Sequence, residues 1–210
     1  MTPVTWTIDL ISPFPYLSLP RLPEIERRRP IRVRPVLFGA LLQHFKHLGP
    51  AEIPLKRLHT YRLAAFTAAT QGQPFRFPPV HPFNPLPMMR ILTALDGDMA
   101  AVRRALALVW GEGRDPTSPE TLMAVAGASS PADLEALIER TGAKEKLRTA
   151  TAAASVEGIF GVPTLTIDGE HFWGADALGM AIAFLDDPAL FRSGELKRAG
   201  EVPVGVERKR

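Results

Sequence analysis

The sequence predicts an α/β protein: a small sheet whose strands lie near the two ends of the chain, with a long all-helical stretch between them. Three observations carry this. Apolar runs of strand length occur near residues 4–11 and 31–36, and again near 163–167 and 170–173. From about Phe38 to Glu157 there is no convincing strand, only apolar residues at helical spacing. At 210 residues and 46% apolar content, the chain fits one domain or one domain with a large insertion.

The elements follow in order. Val4 to Ile11 is nearly continuous in apolar character, which suits a strand buried on both faces. Pro13 to Arg28 is helical in spacing, with Tyr16, Leu17, Leu19, Leu22 and Ile25 as its apolar positions. Pro20 and Pro23 each remove a backbone hydrogen bond, so the spacing predicts a kink or two short helices there. Ile31 to Val36 alternates apolar and basic residues, as in a strand with one exposed face. Helices are expected over Phe38–His47 and Leu55–Gln71, followed by a Pro-rich connector, 74–87. Further helices are expected over Met88–Leu95, Met99–Trp110, Pro119–Ala126, Pro131–Arg140 and Ala143–Glu157, with Ser118 and Ser130 as N-caps. Thr164–Ile167 and His171–Trp173 flank Asp168-Gly169-Glu170, a hairpin signal, and Asp176–Leu185 closes the pattern as a helix. This order, β-α-β, helical insert, β-β-α, is that of a thioredoxin-like fold with a large all-helical insertion between the second and third strands. The expected division is 1–37 and 158–187 for the thioredoxin-like domain, 38–157 for the insertion and 188–210 for a loose C-terminal tail.

Composition excludes several functions. The chain has no cysteine, which rules out a disulfide framework, a Cys-ligated zinc and thiol–disulfide catalysis by the protein itself. A net charge of +3 gives no argument for nucleic acid, and the runs Arg27-Arg28-Arg29 and Glu207-Arg208-Lys209-Arg210 read as solvated. No apolar run approaches the roughly 20 residues of a membrane helix, and the N-terminus lacks the basic segment of a signal peptide. A soluble cytoplasmic protein is expected. His44 and His47 share a helix face but have no third ligand at useful spacing, so no metal is expected.

Three places carry candidate chemistry, and each also has a plain structural reading. Ser12, at a strand-to-helix junction before Pro13, is either an ordinary N-cap or a hydroxyl that donates to a thiolate held beside a helix start. Val162-Pro163 opens a strand. The bond is an ordinary trans X-Pro or, as the thioredoxin-like fold implies, a cis bond facing Ser12, with the Val162 backbone offered to a peptide. A chain without cysteine would suit a peptide that brings its own thiol. Asp176, after Phe172-Trp173-Gly174-Ala175, is a helix cap or a carboxylate for the amino group of a small peptide.

Taken together, these residues resemble one family. Thr7-Ile8-Asp9-Leu10-Ile11-Ser12-Pro13-Phe14-Pro15-Tyr16-Leu17 is similar to the opening of 2-hydroxychromene-2-carboxylate isomerases. With the kappa-class glutathione transferases, these form a cysteine-free branch of the DsbA-like thioredoxin superfamily. Arg34-Pro35-Val36-Leu37-Phe38-Gly39-Ala40, Pro82-Phe83-Asn84-Pro85-Leu86 with Arg90, Val109-Trp110-Gly111-Glu112-Gly113, Gly158-Ile159-Phe160-Gly161-Val162-Pro163-Thr164 and Phe172-Trp173-Gly174-Ala175-Asp176 continue the match over about residues 4–186.

The resemblance implies a DsbA/kappa-class type of fold, glutathione as cofactor and a homodimer. It implies that Ser12 activates the glutathione thiol, that Val162 and a cis Pro163 meet its backbone, and that Trp173, Gly174, Ala175 and Asp176 hold its γ-glutamyl end. It implies Pro13, Phe14, Glu52 and Asn84 as contacts to a small electrophilic, aromatic substrate. Glu52 stands near a position where isomerases can have Asn, and Ala175 and Ala177 stand where many relatives carry a polar residue and an arginine. The reaction implied is reversible addition of the thiol to a conjugated double bond, rotation, then elimination, in aromatic-compound catabolism. A kappa-like transferase that conjugates electrophiles, and a non-catalytic thioredoxin-like module that binds peptides, are the competing functions.

Overall fold

The computed structural model describes residues 2–206. Its sheet has four strands in the order β2-β1-β3-β4. β1 (Val4–Ile8) runs parallel to β2 (Ile31–Pro35), with Val4 opposite Ile31 and Ile8 opposite Pro35. β3 (Thr164–Ile167) pairs antiparallel with β1, and β4 (Glu170–Trp173) antiparallel with β3. Asp168 and Gly169 both have positive φ, 51° and 92°, the two-residue turn that matches strand twist in a hairpin. Val4, Trp6, Thr7 and Ile8 are all buried. β1 therefore lies inside the sheet with both faces covered, as its apolar run predicts.

β1 ends at Ile8, three residues before the predicted end at Ile11. Asp9 turns its carboxylate back onto the Ile11 N–H, and the carbonyls of Leu10 and Ile11 are taken by side chains of the insertion rather than by a strand. The first helical stretch divides into α1 (Phe14–Ser18) and α2 (Leu22–Glu26), parted around Pro20 as the prolines predict.

The insertion is helical throughout: α3 (Phe38–His44), a 3₁₀ turn at Pro50–Glu52, α4 (Pro54–Thr70), α5 (Leu86–Ala94), α6 (Met99–Leu106), α7 (Pro119–Ala126), α8 (Pro131–Arg140) and α9 (Ala143–Val156). It adds no strand to the sheet. Ser118 and Ser130 accept from the N–H groups of Thr121 and Asp133, capping α7 and α8 as expected. The end of α6 widens into a π turn, Ala107–Gly111, which carries the buried Trp110.

Two sequence expectations need correction near the C-terminus. α10 spans Leu178–Asp186, so Asp176 does not cap it; Ala177 stands at the cap position with no side-chain bond. Gly174, at φ +94°, turns the chain after β4 and delays the helix. The segment expected as a loose tail is partly built. After a 3₁₀ turn at Leu190–Arg192 comes α11 (Gly194–Ala199), and Phe191 stacks on Phe172 of β4 and Phe184 of α10 at 6.0 and 5.3 Å. Those two rings leave an apolar face that Phe191 covers. The run 207–210 lies outside the described residues. Among the described residues no helix is long and apolar enough to cross a membrane.

Candidate functional site

The site centres on the segment that leaves β1. Backbone polar groups removed from a sheet must find other partners, and from Leu10 to Ser12 they do so one by one. Leu10 N–H points to Met89 Sδ at 3.4 Å, and Leu10 C=O accepts from Trp110 Nε1–H at 2.9 Å. Ile11 N–H donates to Asp9 Oδ1 at 3.0 Å, and Ile11 C=O meets His81 Nε2 at 2.8 Å. Ser12 N–H donates to the Asp9 carbonyl at 3.2 Å. Three of these partners, His81, Met89 and Trp110, come from the helical insertion. The insertion thus fixes the segment that presents Ser12.

Ser12 itself is held loosely. Its Oγ accepts from Phe14 N–H at 3.3 Å and donates to the Val162 carbonyl at 3.4 Å, both long for hydroxyl bonds. The Oγ–Val162 contact joins residues 150 positions apart. α1 is only five residues long, so the hydroxyl rather than a long helix supplies the polarity beside it.

The second wall is the loop before β3. The Val162–Pro163 bond is cis, and Pro163 C=O accepts from Gly174 N–H at 2.8 Å, tying this loop to the end of β4. Trp173 is 54% exposed and meets Phe160 edge-on at 5.0 Å. A β-carbon at Gly161 would overlap the Trp173 indole nitrogen, and one at Gly174 would overlap the Asp176 carboxylate. Gly161 and Gly174 therefore let the indole and the carboxylate close over bare backbone. Ala175 is half-buried and Asp176 exposed. Among the described residues no partner is found for the Val162 N–H. A hydroxyl after β1, a backbone N–H and C=O before β3, an exposed indole on β4 and a carboxylate after it are groups that fit a small thiol peptide such as glutathione.

The remaining predicted contacts divide. Pro13 is buried and Phe14 half-buried beside Ser12. Glu52 turns onto its own loop, where Oε2 accepts the Gly49 N–H, and Asn84 Oδ1 accepts the Leu86 N–H at 3.1 Å. A separate cleft of about 500 Å³ lies between α3, α5 and α9, beside His44, Arg90 and Arg148, and holds none of the predicted site residues.

Asp9 was not among the expected site residues. It is fully buried, its Oδ2 accepts the Phe38 N–H at 2.8 Å, and burial pushes its carboxyl up to about 6 from the ordinary 3.8, against two backbone N–H bonds that favour the charged form. It brackets the end of β1 to the start of α3. His81, Tyr61 and Trp110 were also missed as site groups. Their sequence signal is faint: one histidine before a proline, in a Pro-rich connector.

Comparison with known proteins agrees with this architecture. The family model of the DSBA-like thioredoxin domain matches residues 4–184. A 2-hydroxychromene-2-carboxylate isomerase of Sphingobium xenophagum is 28% identical over 193 residues, 88% of this chain and 98% of that one. One of Pseudomonas putida is 28% identical over 188 residues, 84% and 91% of the two chains. A glutathione S-transferase kappa 2 of Caenorhabditis elegans is 23% identical over 207 residues, 88% and 92%. The solved structure of a 2-hydroxychromene-2-carboxylate isomerase superposes with a TM-score of 0.75 at 24% identity, covering 92% of this chain and all of that one. With the sheet order, the inserted helices and a family match over nearly the whole length, the chain belongs to the DsbA-like thioredoxin domain family.

Proposed function

We propose that the chain is a glutathione-dependent isomerase of the 2-hydroxychromene-2-carboxylate type, working in the cytoplasm as a homodimer in aromatic-compound catabolism. The observation that carries the reading is the meeting of Ser12 Oγ with the Val162 carbonyl, which puts a hydroxyl beside a free peptide edge. When bound, glutathione supplies a thiol whose reversible addition to a conjugated double bond removes the barrier to rotation.

The protein's own residues do the rest. Ser12 gives up its weak bond to Val162 and donates to the thiolate, a charge-assisted bond stronger than the one it replaces. Val162 pairs its backbone with the peptide, which fixes the sulfur relative to Ser12. Trp173 covers the γ-glutamyl end, and Asp176 pairs with its amino group. Pro13 and Phe14 give the electrophile an apolar wall beside the sulfur.

A second reading, a kappa-like transferase, is favoured by one observation. Glu52 and Asn84, the polar contacts expected for an aromatic substrate, each turn one oxygen onto a backbone N–H of their own loop.

The test begins with melting temperature against reduced glutathione. A ligand bound only by the folded state adds about 2.7 kcal/mol at a hundred times Kd, so a clear upward shift is expected at millimolar concentration. No shift would favour the peptide-binding module. Turnover of 2-hydroxychromene-2-carboxylate with free thiol unchanged is the expected isomerase result; stoichiometric thiol loss would move the assignment to the transferase. Light scattering at twice the 23.0 kDa chain mass is expected, and a monomer mass would end the dimer claim.

A further inference from the structure

Of the groups that the insertion brings to the Ser12 segment, His81 is titratable and comes with a partner that fixes its state. His81 is half-buried in an aromatic nest, edge-on to Trp110 at 5.4 Å and Phe83 at 5.7 Å. Its Nε2 lies 2.8 Å from the Ile11 carbonyl, and its Nδ1 lies 2.6 Å from Tyr61 Oη on α4. Burial, with Arg57 nearby, holds the imidazole below its ordinary 6.5, so at neutral pH it carries one ring proton and the tautomer matters.

The geometry decides that tautomer. A carbonyl oxygen can only accept, so Nε2 must carry the hydrogen. Nδ1 is then an acceptor, and only Tyr61 Oη–H can satisfy it at 2.6 Å. The His81 carbonyl, 2.9 Å from the same hydroxyl, is the rival acceptor for its one proton. The chain of bonds runs in one direction: Tyr61 O–H to Nδ1, Nε2–H to Ile11 C=O, and Ile11 is joined directly to Ser12. If Tyr61 gave its proton elsewhere, two lone pairs would face each other across 2.6 Å.

We propose that His81 is a positioning residue for Ser12, held by Tyr61 in the Nε2–H tautomer so that its ring fixes the Ile11–Ser12 peptide and with it the aim of the serine hydroxyl. Neither residue touches the reacting atoms. An imidazole suits this task because its two nitrogens lie on opposite sides of a rigid ring, so one hydrogen bond transmits the constraint of the other. Trp110 does the same for Leu10 with a fixed N–H; His81 does it with an N–H that the Tyr61 bond favours.

This rests on Ser12 being the partner of the glutathione thiol, and the test separates the two. Nitrogen NMR of ring-labelled histidine in the wild-type protein should show one buried histidine with its proton on Nε2. In Tyr61→Phe that histidine should become a tautomer mixture. A wild-type Nδ1–H tautomer overturns the proposal without any variant having to fold. With glutathione and 2-hydroxychromene-2-carboxylate, His81→Phe keeps the ring shape but loses the N–H. It should lower kcat about tenfold, leave the KM for glutathione within twofold, and raise the pKa of the bound thiol. His81→Gln places an amide N–H near the Nε2 position and should recover most of the rate. A wild-type protein without glutathione-dependent turnover removes the reaction reading, and the role given to Ser12 goes with it. Wild-type turnover that His81→Phe leaves unchanged, with the thiol pKa also unchanged, removes the positioning role alone.

Discussion

The two ends of the candidate site are built in opposite ways. At the Ser12 end the backbone is clamped group by group by buried or half-buried side chains from the insertion, and a buried carboxylate stands behind it. At the Trp173 end the indole is 54% exposed, Asp176 is exposed, and room is made by glycines rather than by packing. The first end is preorganised and the second adaptable. That division fits a site where chemistry needs a fixed donor geometry while recognition of a flexible peptide tail tolerates adjustment.

The largest effect that can sharpen this contrast is on stability at the fixed end. Asp9 binds its proton more tightly in the folded state, with its carboxyl at about 6 against 3.8. Above about pH 6 the folded protein carries an ionised buried group, and the cost is fully present there. The cost is relieved as pH falls from 6 to 3.8, where the folded protein takes up a proton that the unfolded chain does not. The interval corresponds to about 3 kcal/mol. Asp9→Asn removes this dependence. The stability difference, variant minus wild type, should therefore rise by about 2.5 kcal/mol in the variant's favour between pH 4 and pH 7. Urea midpoints across that range measure it, and a flat difference would mean Asp9 is not a buried acid.

Next is chemistry at the same end. Ser12→Ala removes the proposed donor to the glutathione thiolate, and a bond to a charged group is worth roughly 1.5–3 kcal/mol. The bound thiol's pKa should rise and the rate should fall about ten- to a hundredfold. Pro13, not Ser12, stands at the cap position of α1; if Ser12 only closes the turn before it through its 3.3 Å bond to Phe14 N–H, melting drops by the equivalent of about 1 kcal/mol and turnover per molecule stays intact. Thiolate absorbance against pH, read on one preparation with turnover, decides between them.

The contrast also explains what the sequence could reveal. The strands and the helical insertion were legible because each rests on local signals: apolar runs, prolines at helix starts, an Asp-Gly turn; the Ser12–Val162 pair, 150 residues apart, was legible only through the fold and the family resemblance. The clamp was not legible. Trp110 reads as core and His81 as a surface histidine, and nothing local says that residues 70 and 100 positions downstream of Ile11 and Leu10 will end a strand early. Asp9 looked like a strand residue because its bracket to Phe38 exists only after β1 and β2 pair. Asp176 was misplaced for the opposite reason. Its cap signal is local and sound, but the positive φ of Gly174 makes a turn first.

The smaller effects belong to the adaptable end. Gly161→Ala puts a methyl group where the Trp173 indole lies, so the ring must swing off Phe160. An aromatic pair is worth about 0.5–1.5 kcal/mol, so glutathione affinity should weaken by about two- to tenfold. The thiol pKa, set at the other end, should not move. A shifted thiol pKa in Gly161→Ala would show that the two ends are coupled and that the division drawn here is false.

The smallest expected effect is at Asp176. Its carboxylate is exposed, so its attraction for the amino group of a bound peptide is screened by water and by salt. Exposed ion pairs contribute little, and Asp176→Asn keeps the shape while removing the charge. Glutathione affinity should fall by no more than about fivefold at low ionic strength, with kcat unchanged. The loss should shrink toward nothing at 1 M salt, where charges are screened within about 3 Å. Titration calorimetry at two salt concentrations reads both numbers. A loss that survives high salt would mean that Asp176 is desolvated when the peptide binds. The Trp173 loop would then close over its ligand, and the adaptable end would become as ordered as the Ser12 end once occupied.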